Sequence, residues 1–92
     1  MLHFTGKACE FIKKSADGKQ PFFLYLVPNA PHEPCVEEVV PAFARGKSKA
    51  GDRGDLVWLF DWTVGRVLET LKATGQDDRT MVIVTSDNGA LP

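Results

Sequence analysis

Apolar and polar residues change their spacing several times along the chain, and each change marks an element. From Thr5 to Ser15 the apolar Ala8, Phe11 and Ile12, with Ala16 just beyond, recur every three or four residues. That spacing is one face of a helix. Thr5 is a candidate N-cap and Asp17-Gly18 a stop, so a first helix is expected between them. Pro21 then opens "PFFLYLV", a continuous apolar run of strand length that suits a strand covered on both faces. Pro28, Pro31 and Pro34 end it. The stretch from Val36 to Phe43 holds a helical turn or two interrupted by Pro41, and "ARGKSKAGDRG" reads as a basic, glycine-containing loop. From about Asp52 to Ala73 the spacing is helical again, with Val57, Asp61, Val64, Leu68 and Leu71 on one stripe flanked by Phe60 and Val67. Gly75 stops this second helix, Gln76 to Arg79 form a polar loop, and Thr80 to Thr85 form a β-branched strand.

Strand, long connection with a helix, strand is the layout of a βαβ unit, whose two strands run parallel with a right-handed crossover. Two strands that are apolar on both faces need further neighbours and covering helices. The expected fold is therefore α/β: residues 1–92 form a single segment, a βαβ portion of a larger mixed, mainly parallel sheet with helices on both faces.

Composition narrows the function. The 92 residues are 43% hydrophobic and 25% charged, ordinary for a globular protein. A formal net charge of -1 removes the broad electrostatic case for nucleic acid or an anionic membrane as partner. No apolar stretch reaches the length of a membrane span, and Met1-Leu2-His3-Phe4 lacks the features of a signal peptide. Cys9 and Cys35 match neither a disulfide framework nor a zinc spacing; they read as thiols without an assigned role, and a disulfide between them stays open.

In open α/β sheets ligands gather at the carboxyl ends of strands. "NAPHEP" follows the first expected strand and holds His32 in a proline-stiffened loop; Asp87-Asn88-Gly89 follows the second. Asp87 and Asn88 offer oxygen donors of the kind that Ca²⁺ or Mg²⁺ prefers, and Gly89 allows a sharp turn beside them. The same three residues also make a good turn. A loop histidine is usually a solvated surface residue, and its place at a strand end is what raises His32 as a proton donor or anion contact. Asp61, inside the apolar stripe, is expected to pair with a donor that holds the helix in place. Trp58 and Trp62 are expected to pack. Gly65, within the second helix, suggests close approach of another element. Arg53-Gly54-Asp55 spells an adhesion string, but it lies near a helix start rather than on a hairpin tip.

"PFFLYLVPNAPHEP", "GKSKAGDRGDLVWLFDWTVGRVLETLKATG" and "TMVIVTSDNG" together resemble three consecutive blocks of the type I sulfatases, within the alkaline phosphatase superfamily. The arylsulfatase and N-acetylgalactosamine-6-sulfatase-like branch is the nearest likeness, and it runs from about Phe4 to the end. The resemblance implies an alkaline phosphatase-like catalytic domain of several hundred residues, of which this segment is an internal part. It implies a sulfuric ester hydrolase acting on a sulfated small molecule or glycan, with Ca²⁺ and a formylglycine nucleophile. Asp87 and Asn88 fall on the family's calcium ligands. His32 falls on the histidine that contacts the sulfate ester and is a candidate to protonate the leaving oxygen. Such enzymes are often periplasmic, extracellular or lysosomal.

Neither Cys9 nor Cys35 fits the C-x-P-S-R-type motif from which formylglycine is made, and the family's two N-terminal acidic calcium ligands have no counterpart here. The segment is therefore expected to need the remainder of the domain and to be inactive alone. A phosphonate or phosphodiester hydrolase of the same superfamily is the nearest alternative, and a non-catalytic binding module the next.

Overall fold

The computed structural model describes residues 2–89, and its regular elements are helical. Helix α1 spans Leu2–Asp17 and helix α2 Gly51–Ala73, with 3₁₀ turns at Glu37–Val39, Ala42–Ala44 and Asp77–Arg79. The two long helices pack on each other through small residues. Thr5, Ala8, Cys9 and Ile12 form the buried face of α1, at the spacing of one helical stripe. Thr5 is not a cap: it lies inside the helix, and its hydroxyl pairs with that of Thr63 on α2 at 3.1 Å. The Cys9 thiol donates to the Arg66 carbonyl at 3.8 Å. Beyond α2, Gly75 takes φ 72°, and the Gly75 and Gln76 N–H groups donate back to the Lys72 and Leu71 carbonyls. This is a Schellman stop, which the free conformation of glycine permits. The Gln76 side chain then reaches the Ile12 carbonyl at 3.3 Å and ties the stop to α1.

A second core lies under the first half of α2, where Ala30, Val40, Ala44, Leu56 and Leu59 are buried together. Cys35, Trp58 and Trp62 pack against it, and the Phe43 ring sits 5.9 Å from Trp58 and 5.0 Å from Trp62. Both tryptophans thus serve packing.

The expected stripe of α2 is rotated. Val57 and Leu68 are 50% and 45% exposed and Asp61 is exposed, while Leu56, Leu59, Thr63, Thr70 and Leu71 face inward. A threonine can lie inward once its hydroxyl is satisfied, as Thr70 is by the Arg66 carbonyl at 2.8 Å. Asp61 therefore needs no buried partner.

The βαβ expectation is overturned: among the described residues there are helices and turns and no strand, hence no parallel sheet. A strand exists by its ladder of hydrogen bonds to a neighbour. Among the described residues, the backbone bonds outside the helices close turns and helix ends, and none joins either apolar run to a neighbouring strand. The first run still has the period of an extended backbone, with Phe22, Leu24 and Leu26 half-buried and Phe23, Tyr25 and Val27 exposed. It leans on α1 through Phe22, whose ring meets Phe11 edge-on at 5.7 Å.

Candidate functional site

His32 stands on an exposed turn closed by its own N–H, which donates to the Asn29 carbonyl at 2.8 Å. Pro31 and Pro34 restrict the backbone on either side. The ring Nδ1 lies 2.6 Å from the Glu33 carbonyl oxygen. A carbonyl only accepts, so Nδ1 carries the hydrogen and donates it. Nε2 is then the nitrogen left for a ligand, as a lone pair in the neutral ring or as N–H in the cation.

Glu33 joins this turn to α2. One carboxylate oxygen accepts from Arg53 Nη2 at 2.6 Å, and the other from the Cys35 backbone N–H at 3.3 Å. The Arg53 guanidinium first, and then the Cys35 N–H, hold the Glu33 carboxyl below the usual range. The Cys35 side chain and then Glu33 hold Arg53 in its charged form, raising its value further. The Glu33 and Arg53 side chains remain 46% and 43% exposed, so solvent screening leaves this pair little weight in stability. What it supplies is a fixed distance between a turn and a helix.

The loop before α2 closes on Asp55. Its carboxylate accepts from the Gly46 N–H at 2.7 Å, the Ser48 N–H at 3.0 Å and the Ser48 hydroxyl at 2.7 Å. Asp55 is 5% exposed. The Ser48 hydroxyl chiefly, then the Gly46 and Ser48 N–H groups, hold its carboxyl below the usual range, against the opposing effect of burial. The Arg-Gly-Asp string is consequently not on display, with Asp55 enclosed and Arg53 paired.

Asp87 and Asn88 lie on an exposed bend. The Ser86 hydroxyl donates to the Asn88 carbonyl at 2.7 Å, and the Asn88 amide donates to the Gly89 carbonyl at 2.8 Å. Asn88 Oδ1 and the Asp87 carboxylate are the oxygen acceptors that this bend carries. These are hard oxygen donors of the right chemistry for calcium, but that ion takes six to eight oxygens. Among the described residues, no group of three or more His, Cys, Asp or Glu side chains is gathered to hold a metal.

Sequence reasoning singled out His32 and Asp87-Asn88; the structure places each on an exposed turn, and among the described residues no hydrogen bond joins the two. It missed Glu33, Arg53 and Asp55. The Glu33–Arg53 pair spans 20 residues and carries no local signal. Asp55 carries little local signal either, because it lies in a polar Gly-Asp-Arg-Gly-Asp stretch. Cys9 and Cys35 are free thiols. No helix among the described residues is long and apolar enough to cross a membrane.

Comparison with known proteins gives one consistent answer. The family model described as Sulfatase matches residues 3–92. The N-acetylgalactosamine-6-O-sulfatase of Bacteroides thetaiotaomicron is 44% identical over 85 residues, covering 92% of this chain and 16% of the relative. The uncharacterized sulfatase YdeN of Escherichia coli is 37% identical over 91 residues, with 95% and 16% covered. The human N-acetylgalactosamine-6-sulfatase is 42% identical over 87 residues, again with 95% and 16% covered. The chain thus spans about a sixth of the length of these curated relatives. No solved structure is a significant match.

Proposed function

The chain belongs to the sulfatase family, and from that premise we propose that it supplies the leaving-group acid and part of a calcium site to a sulfuric ester hydrolase. The substrate is a sulfated small molecule or glycan. The observation that carries this reading is the Nδ1–H bond from His32 to the Glu33 carbonyl. It leaves Nε2 as the reactive nitrogen on the open side of the turn. In the imidazolium form Nε2–H lies ready to hydrogen-bond a sulfate ester oxygen. As the sulfur–oxygen bond breaks, charge develops on the departing alcohol oxygen, and transfer of the Nε2 proton neutralises it. The Nδ1–H bond fixes the tautomer of the neutral ring and the ring's orientation in both protonation states.

Asp87 and Asn88 would give Ca²⁺ a carboxylate and an amide oxygen, with other ligands coming from the rest of the domain. A calcium ion held there would supply positive charge that stabilises the sulfate oxygens. The rest of the sulfatase domain also covers the exposed apolar runs at Phe23, Tyr25 and Val27 and at Met81 and Ile83. Support comes from their exposure, 87%, 81%, 60%, 86% and 77%, in a chain that spans so little of its relatives.

Leaving-group dependence tests the role of His32. In the complete enzyme, His32→Ala is expected to lower kcat by roughly 100-fold or more on N-acetylgalactosamine 6-sulfate, whose alcohol is a poor leaving group. The loss on 4-nitrophenyl sulfate is expected to be far smaller, because nitrophenolate departs without a proton. Equal losses on both substrates would refute the acid role. Asp87→Ala in the same enzyme is expected to lower its calcium content as measured by elemental analysis, and an unchanged content would remove Asp87 from the site.

A further inference from the structure

We propose that the Glu33–Arg53 ion pair positions His32, with α2 as the rigid reference to which the acid is fixed. The inference rests on the reading of His32 as the leaving-group acid and extends it to residues that do not touch substrate.

A continuous path of contacts leads from helix to ring. Arg53 lies in the first turn of α2, whose neighbours Asp55 and Leu56 are 5% and 3% exposed, so its backbone is anchored. Its guanidinium grips one Glu33 oxygen at 2.6 Å, and the Cys35 N–H takes the other at 3.3 Å. Cys35 itself packs against the core beneath α2, and its thiol donates to the Pro31 carbonyl at 3.4 Å. Glu33 is thus held by both ends of its carboxylate, and its backbone carbonyl is the acceptor that fixes His32 Nδ1 at 2.6 Å. His32 is exposed, so packing does not restrain its ring. The Glu33 carbonyl is the contact that sets its direction, and Arg53 is what prevents Glu33 from turning with the loop. A pair this exposed adds little stability, whereas an acid must meet its oxygen at hydrogen-bond distance. Geometry, not stability, is what the pair contributes.

A role exerted through His32 has a signature that a general structural role lacks. In the complete enzyme acting on N-acetylgalactosamine 6-sulfate, Arg53→Met and Glu33→Gln are each expected to lower kcat roughly 10- to 100-fold. KM and the thermal midpoint are expected to stay near the wild-type values. The doubly exchanged variant Glu33→Arg with Arg53→Glu, which restores the link in reverse, is expected to recover most of that loss. Placed in the His32→Ala background, Arg53→Met is expected to cost nothing further, because the group it positions is gone.

Wild-type kcat in Arg53→Met and Glu33→Gln would overturn the proposal. So would an additional loss in the His32→Ala background, or a charge-exchanged variant no better than the single ones. The proposal also fails if Arg53→Met raises KM and lowers the thermal midpoint together without a selective fall in kcat. Should His32→Ala itself keep wild-type kcat, the acid assignment falls and takes this inference with it. If His32→Ala is impaired while Arg53→Met is not, only the positioning role fails.

Discussion

At Asp55 two carboxylate oxygens serve three donors across the gap between the loop at residues 46–48 and α2. In the unfolded chain these donors are satisfied by water and the carboxyl titrates near its ordinary value. In the folded chain the Ser48 hydroxyl and the two N–H groups favour the anion, so the folded value is the lower one. As pH falls, the unfolded chain takes up the proton first. The stabilisation is therefore complete above about pH 4 and is lost as pH drops further through the folded value. Asp55→Asn replaces one acceptor oxygen with an NH₂ group that faces a donor. The variant is expected to melt several degrees lower at neutral pH. Its thermal midpoint is also expected to fall less than that of the wild type between about pH 5 and about pH 3. Parallel declines in the two midpoints would remove Asp55 from the acid response. Little in the local sequence announces this residue. Asp55 reads as part of a polar Gly-Asp-Arg-Gly-Asp stretch, and its partners become visible only once the loop is folded back on the helix.

Within α2 the two glycines have opposite meanings. Reading the sequence favours Gly65 as the point of close approach, because it lies in mid-helix. Yet a Cβ built there meets nothing within 4 Å, whereas one at Gly54 would lie 2.5 Å from the Ser48 hydroxyl and 2.7 Å from the Ala50 Cβ. The loop that delivers Ser48 to Asp55 passes over Gly54, so the missing side chain makes that contact possible. Gly65→Ala gains helix propensity without a clash and is expected to stabilise by about 1 kcal/mol. Gly54→Ala has the same propensity gain but must displace Ser48, and it is expected to destabilise. Chemical denaturation of the two variants reads this reversal of sign, and stabilisation by both would refute the close approach. The helices themselves were legible because a period of three to four residues belongs to a single element. The face of α2 was not, because its inward residues include Thr63 and Thr70, which an apolar count omits. What turns them inward is the partner helix, through Thr5 and the short side chains of α1.

The whole molecule is more open than its length requires. Its radius of gyration is 14.6 Å, where a compact chain of this length has about 12 Å. Its accessible surface is 6857 Å², where a compact monomer of 10.1 kDa has about 5,300 Å². Much of the excess is apolar: Phe23, Tyr25, Met81 and Ile83 are each more than three-quarters exposed. Burial of these runs was legible as a requirement, since they are apolar at successive positions, but what meets them was not. A sequence states that a side chain needs covering; which segment covers it depends on the rest of the packing. The same limit applies to the site. Residue types single out His32, Asp87 and Asn88, and nothing in the sequence around either turn fixes the distance between them. The isolated 92-residue chain is accordingly expected to bind the dye ANS strongly, to self-associate at micromolar concentration, and to turn over no aryl sulfate. Phe23→Ser with Ile83→Ser is expected to reduce both dye binding and association in that chain. On the proposed reading that the surrounding domain covers the same side chains, the double variant is expected to lower the thermal midpoint of the complete enzyme instead, because it places hydroxyls where apolar contacts are made. A monomeric isolated chain that binds no dye, together with an unaltered midpoint in the complete enzyme, would mean that these apolar runs face solvent in the working protein as well.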